Sequence, residues 1–274
     1  MKLATIATVV AVLSGCSPVD NHDVKRLALP VAASDRSQSV WNLWLGAWIA
    51  VLVVFVLVFG LIVWSMIRYR RRSDDEVPDQ VRYNLPIEAL YTIAPVIIVA
   101  VFFFHTVTSQ NEVLKKVAHP DHTITVVGSK WQWGFSYLDE SASGNDSVFD
   151  SGTPEQPANL YLAVNESVRF DLKSPDVIHS FWVPEFYFKR DVIPGKADNS
   201  FDMTPTREGT FTGRCAELCG LYHSRMLFKV HVVSRAEYDA HMAKLKASGN
   251  VGVPVGAKDA DTIAGLAESG NGEK

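Results

Sequence analysis

Apolar and polar positions divide the chain into two regimes. Residues 41–64 carry no charged side chain. A helix of that length rises about 36 Å, enough to cross a hydrocarbon core of about 30 Å. Trp41, Trp44 and Trp64 stand at its ends, where interfacial aromatics anchor a span. A second apolar stretch covers residues 88–108, with Asn84 and Pro86 ahead of it as a cap and an early helical proline. Pro95 falls inside this stretch, where neighbouring helices can satisfy the backbone group it frees. Only residues 65–87 separate the two stretches, so they predict a membrane hairpin. Arg68, Arg70, Arg71 and Arg72 in the connection assign it to the cytoplasm. Both termini and everything after residue 109 then lie on the extracytoplasmic side of a bacterial cytoplasmic membrane.

From residue 121 the period changes to two. Val168, Phe170 and Leu172 alternate with Arg169, Asp171 and Lys173; Phe228, Val230 and Val232 alternate with Lys229 and His231. Similar short runs at 123–127, 131–137, 160–164, 177–183, 198–203 and 209–214 predict an antiparallel β-sandwich. Residues 139–158, rich in Ser, Gly, Asp and Pro, read as a long exposed loop. Residues 235–247 suit a short helix, and 248–274 a mobile tail.

The N-terminus has its own pattern. Lys2 precedes an apolar run at 3–13, followed by Leu13-Ser14-Gly15-Cys16. This is the layout of a secretory signal, and it resembles a lipoprotein processing site. The resemblance implies cleavage before Cys16 and lipid attachment to its sulfur; the alternative is an ordinary signal peptide with an incidental cysteine. The expected division is a signal peptide at 1–15, a polar extracytoplasmic surface segment at 16–40, the hairpin at 41–110, the sandwich at 119–234, and a helix with a flexible tail at 235–274.

A mean hydropathy of +0.07 fits this mixture of a few spans and one globular domain. Residues 1–118 hold 11 Lys/Arg against 9 Asp/Glu; residues 119–274 hold 15 against 21. The acidic globular part suits a basic protein partner rather than nucleic acid. There are 3 cysteines. With Cys16 set aside, the other two fall in one short segment, leaving no pair for a structural disulfide. No CxxCH haem-attachment motif occurs.

That segment carries the chemistry. Cys215, Cys219, His223 and Met226 are spaced C-x3-C-x3-H-x2-M. Thiolate, imidazole and thioether are the ligand set of an electron-transfer copper centre. One copper of that kind needs one thiolate, so the second sulfur points to a second metal ion. His179, 36 residues upstream of Cys215, is the candidate for a further ligand. Three alternatives stand beside a binuclear copper site: a closed Cys2His2 zinc site, a copper chaperone of the Sco type, and two buried cysteines with unrelated neighbours.

The segments YNLPIEALYTIAP at 83–95, DVIHSFWVPEFYFKRDVIPG at 176–195 and CAELCGLYHSRM at 215–226 resemble subunit II of haem–copper cytochrome c oxidases, most of all the actinobacterial type. The resemblance spans residues 41–234. It implies a cupredoxin-like Greek-key sandwich bearing a CuA centre that takes electrons from a c-type cytochrome and passes them to haem a of subunit I. Oxygen is there reduced to water and protons are pumped, so the chain is enzymatic only as part of the complex. The cysteine sulfurs at 215 and 219 would bridge two coppers, with His179 and His223 binding one each. Met226 and the Glu217 carbonyl would complete the set, while the Glu217 side chain would reach a Mg²⁺ or Mn²⁺ shared with subunit I. Asp191 matches an acid near that ion.

Trp131 matches the residue through which electrons come in, although Trp133 stands where most members have Tyr. The bland role for Trp133 is core packing. Asp176 is among the acids that could dock a basic cytochrome. Glu88 matches a carboxylate at the mouth of a proton pathway, beside its plainer reading as a first-turn acid favoured by the helix dipole. His105 is assigned no function. Subunit III, accessory subunits, membrane lipid and a cytochrome fixed in a supercomplex are the remaining implied partners. A quinol oxidase subunit II shares the architecture but lacks the ligands.

Overall fold

The computed structural model describes residues 24–73, 75–77, 80–138, 147–254 and 256. The lipidation expected at Cys16 and the tail beyond 256 lie outside these residues. Helix α1 spans Ser37–Arg68 and α2 spans Leu85–Val113. Apart from Ser37 and Ser109 their side chains are not buried against protein, as expected of helices apolar all round. The α2 start follows its predicted chemistry: Asn84 Oδ1 accepts the Ile87 N–H at 3.4 Å, with a proline in the first turn.

Ten strands follow: β1 His122–Ser129, β2 Gln132–Leu138, β3 Val148–Ser151, β4 Ala158–Ala163, β5 Val168–Lys173, β6 His179–Val183, β7 Phe188–Val192, β8 Ser200–Met203, β9 Gly209–Cys215 and β10 Leu227–Val233. They form two five-stranded sheets, in the orders β3-β2-β1-β5-β8 and β4-β10-β9-β6-β7. The sandwich is as read from the alternation, and Val168, Phe170, Leu172, Phe228, Val230 and Val232 all face its core. It is not wholly antiparallel: β1 pairs with β5, and β10 with β4, in parallel. Alternation reports which face is buried, whereas the direction of a neighbour depends on connections that cross between sheets.

Strands β3 and β7 were not legible as separate runs. β3 falls in the segment expected to be loop, of which residues 139–146 lie outside the described part. Two further stretches depart from expectation. Residues 33–37, placed in a polar surface segment, include buried Ala33, Ser34, Arg36 and Ser37. The start of the supposedly mobile tail is docked: Val251 bridges Val148, and Gly252 N–H donates to Ser147 O at 2.6 Å. Helix α3, Arg235–Ala247, appears where expected and opens with a capping box between Ser234 and Glu237.

Aromatic rings fill the core below the metal-ligand segment. Phe228 stacks on Phe181 at 5.0 Å and lies 5.3 Å from both Trp133 and Phe135. Opposite Phe228 sits Gly213, where a Cβ would come within 2.0 Å of the ring.

Candidate metal centre

Three neighbouring strand ends assemble the site. His179 opens β6, Cys215 closes β9, and Met226 immediately precedes β10. Phe181 pairs with Cys215, and Ala216 N–H donates to Ser180 O at 3.0 Å. Cys215 N–H donates to Met226 O at 3.0 Å, pinning the two ends of the loop 216–225. A residue separation of 36 thus becomes a contact between adjacent strands.

The donor atoms converge. Those of His179, Cys215 and Cys219 lie within 4.8 Å of one another, and all three residues are buried. The two sulfurs are 3.8 Å apart. His179 Nδ1 is 3.9 Å from Cys215 Sγ, and His223 Nδ1 is 3.6 Å from Cys219 Sγ. Met226 Sδ stands 3.7 Å from Cys219 Sγ, and the Glu217 carbonyl 3.2 Å from Cys215 Sγ. Each sulfur therefore has its own imidazole, with the thioether beside Cys219 and the carbonyl beside Cys215. This is a soft, mostly sulfur and nitrogen pocket, which suits copper and leaves no idle methionine, as zinc would.

The surroundings orient the donors. Asp176 Oδ1 lies 2.9 Å from His179 Nε2. With the carboxylate accepting the Nε2 proton, the Nδ1 lone pair is left facing the sulfurs. Asp176 is itself fixed by N–H groups of Lys130 at 2.7 Å and Val177 at 2.6 Å. Burial alone would raise its pKa, but these donors and His179 hold it below the usual carboxylate range. Its carboxylate thus orients the ligand, a task its position in the sequence did not reveal. Trp133 Nε1 donates to the Met226 carbonyl at 3.3 Å, so its bland packing role includes holding a ligand backbone.

The two thiols differ. Burial opposes ionisation of Cys215, yet interactions with His179 and with the backbone at Glu217 and Ser180 outweigh it and hold the thiol down to about 6. Burial and the neighbouring Cys215 charge push Cys219 up to about 12. Two thiolates at this separation need a cation between them.

Trp131 covers the outer side, its indole N–H donating to the Cys219 carbonyl at 3.2 Å. It meets Tyr222 edge to face at 5.1 Å. Gly220, at φ +123°, leaves room: a Cβ there would come within 3.1 Å of the indole. Leu218 and Leu221 beside it are 78% and 79% exposed. Glu217 is exposed in the same loop. Glu88 is far in sequence from this cluster and accepts the Asn84 N–H at 2.9 Å, a helix-start contact. Asp191 pairs with Lys189 at 3.3 Å.

Comparison with known proteins gives the family. Residues 23–107 match the family described as cytochrome C oxidase subunit II, transmembrane domain, and residues 122–233 match its periplasmic domain. A probable cytochrome c oxidase subunit 2 of Streptomyces avermitilis is 43% identical, over 93% of this chain and 90% of that protein. The chain belongs to the cytochrome c oxidase subunit II family. Cytochrome c oxidase subunit 2 of Mycobacterium tuberculosis is 31% identical over 87% of this chain and 79% of its own. The periplasmic domain of subunit II from Bradyrhizobium japonicum, a solved structure, is 28% identical, covers 48% of this chain and 99% of its own, and superposes with a TM-score of 0.43. As a family member the chain is a membrane-bound subunit of a haem–copper oxidase and works with the other oxidase subunits. The actinobacterial resemblance seen in its motifs stands.

Proposed function

We propose that this chain is the electron-input subunit of its oxidase, and that residues 179, 215, 217, 219, 223 and 226 hold a binuclear copper centre of the CuA type. The observation that carries the reading is the pair of sulfurs 3.8 Å apart, each with its own imidazole nitrogen. A bound copper pair supplies a one-electron redox couple. The chain's residues do the rest. His179 and Cys215 on paired strands, with Met226 at the foot of a third, resist rearrangement between redox states. The aromatic core beneath them excludes water, and Asp176 fixes the His179 ring.

Trp131 is the electron-input residue in this reading. Its hydrogen bond to the Cys219 carbonyl joins the protein surface to a sulfur ligand. The exposed Leu218 and Leu221 suit the apolar centre of a transient interface with a c-type cytochrome, and the acidic sandwich suits its basic rim. Electrons then leave for haem a in subunit I, where the oxygen chemistry and proton pumping reside. The exposed Glu217 carboxylate is available for a Mg²⁺ or Mn²⁺ at that interface, Asp191 is the acid that the resemblance assigns to that ion's surroundings, and Glu88 is available for the mouth of a proton pathway. The arginines after α1 support a sandwich on the extracytoplasmic side.

The β-sandwich argues against a Sco-type chaperone, which has a thioredoxin-like pattern; the full ligand set argues against a quinol oxidase subunit. Copper analysis and electron paramagnetic resonance of the purified complex test the proposal. It requires two coppers per chain, in this subunit, sharing one unpaired electron. One labile copper without that shared signal would overturn it.

A further inference from the structure

The sandwich is joined to the hairpin covalently only through the linker after α2. That linker is fastened to it: Val117 N–H donates to Asp202 Oδ2 at 2.6 Å, and Lys116 Nζ lies 3.0 Å from Asp198. A body held along one linker can still swing about it. The structure shows a second attachment, made by residues 32–37 just before α1. Ala33 N–H donates to Glu185 O at 2.8 Å, and Thr206 N–H returns a bond to Ala33 O at 3.0 Å. Asp35 N–H reaches Thr204 O at 3.0 Å, Thr204 N–H reaches Asp35 Oδ1 at 2.9 Å, and Ser34 Oγ donates to Phe186 O at 2.8 Å.

Arg36 closes the ring. It is 8% exposed, and its guanidinium donates to Glu112 O and Lys115 O, both at 3.0 Å. These carbonyls belong to the C-terminal turn of α2 and to the second residue beyond it, where carbonyls run short of helical partners and the dipole favours a cation. A planar fork can serve two carbonyls at once, which an ammonium cannot do equally well. Ser39 and Ser109, 2.8 Å apart, join the helices one turn below.

We propose that Arg36 and its strap are a positioning device that fixes the copper-binding sandwich on the membrane hairpin, and so sets the geometry of the onward electron step to subunit I. This rests on the electron-input reading above. The strap grips the turn at 184–186, which follows β6 directly, and β6 begins with His179. Five extended residues make a stiff connection of about 16 Å between strap and ligand. Arg36 touches no donor atom, so it acts on the position of the centre and not on its chemistry.

The test compares Arg36→Ala, Arg36→Lys and the unsubstituted chain in the whole oxidase complex, with rates normalised to copper content. The expected Arg36→Ala complex keeps its copper signal and its rate of reduction by the donor cytochrome. Its transfer from copper to haem slows severalfold, since electron transfer between fixed centres falls steeply as their separation grows. Arg36→Lys, which keeps the charge and loses the planar fork, recovers part of that rate. A merely structural role would lower the yield of complex and leave the internal rate unchanged; that result, with an intact copper signal, would overturn the inference alone. Loss of the shared copper signal from the unsubstituted complex would instead overturn the reading beneath it. Ser34→Ala, which removes the hydroxyl's bonds to Phe186 O and Ser37 Oγ and no charge, must show a smaller slowing of the same internal step if Arg36→Ala does not assemble; an unchanged rate there would again overturn the strap.

Discussion

Replacing Asp176 separates a ligand-orienting role from a docking role. Its Oδ1 accepts from His179 at 2.9 Å, while its Oδ2 accepts the Lys130 N–H. His179 is fully buried, so Asp176→Ala strands its Nε2–H. An unsatisfied buried donor costs about 1–3 kcal/mol. Losing the outer partner of a metal-bound histidine typically lowers metal affinity by about 10–100-fold, or about 1.4–2.8 kcal/mol. The two figures overlap because they describe one event, the release of the imidazole from its working orientation. Water entering the vacated, partly exposed position would bring the cost toward the lower end. Asp176→Asn keeps an acceptor for His179 and loses one for Lys130, so it should retain most of the affinity. The assay is copper retention against a graded chelator, with the resonance spectrum as the readout of geometry. Equal retention by wild type and Asp176→Ala, with a weaker interaction with the donor cytochrome instead, would refute the argument and restore a docking role.

Other expectations follow from the packing and the ion pairs. Gly213→Ala drives a methyl group into the Phe228 ring; overpacking of this kind costs about 1–3 kcal/mol, and thermal unfolding should show the loss even with copper bound. Asp202 is buried and accepts Arg169 Nε and Nη2 at 2.8 and 2.7 Å. Burial opposes its ionisation, but Arg169 and the Val117 N–H hold its pKa below the usual range. The pair's stabilisation is therefore present above the unfolded carboxylate pKa of about 3.9, and fades as pH falls toward and through the folded value. Asp202→Asn should cost about 3 kcal/mol at neutral pH and flatten the acid limb of the stability curve, as followed by circular dichroism. Ser234→Ala removes the capping-box hydroxyl of α3 and should cost about 1 kcal/mol, seen as faster amide exchange in its first turn.

Much of the architecture could be read from periodicity. The hairpin, most of the strands and α3 followed from spacing and caps, because each buries a face that its own residues declare. Strand β7, FKRDV, has one buried side chain and lies at a sheet edge. Its pattern carries little signal, so it went unread. The parallel pairs escaped because alternation is blind to a neighbour's direction. The ligand run was legible since its four side chains sit within a 12-residue loop. The Trp133 N–H meets the Met226 carbonyl only once the sheets are packed; Asp176 lies three residues from His179, but spacing alone does not tell that its carboxylate turns toward the imidazole, a direction set by the Lys130 and Val177 N–H groups. The same holds for Arg36: in sequence it is one charge before an apolar run, and only the fold places it against the end of α2.

If Cys215 and Cys219 together hold one copper pair, removing one of the two sulfurs abolishes it. Electron paramagnetic resonance of the oxidised complex, before and after Cys219→Ser, is the measurement. The expected wild-type spectrum is that of one electron spread over two coppers. In the variant that spectrum is lost, together with electron input from the cytochrome. An unchanged spectrum and unchanged turnover in Cys219→Ser would contradict a shared copper pair.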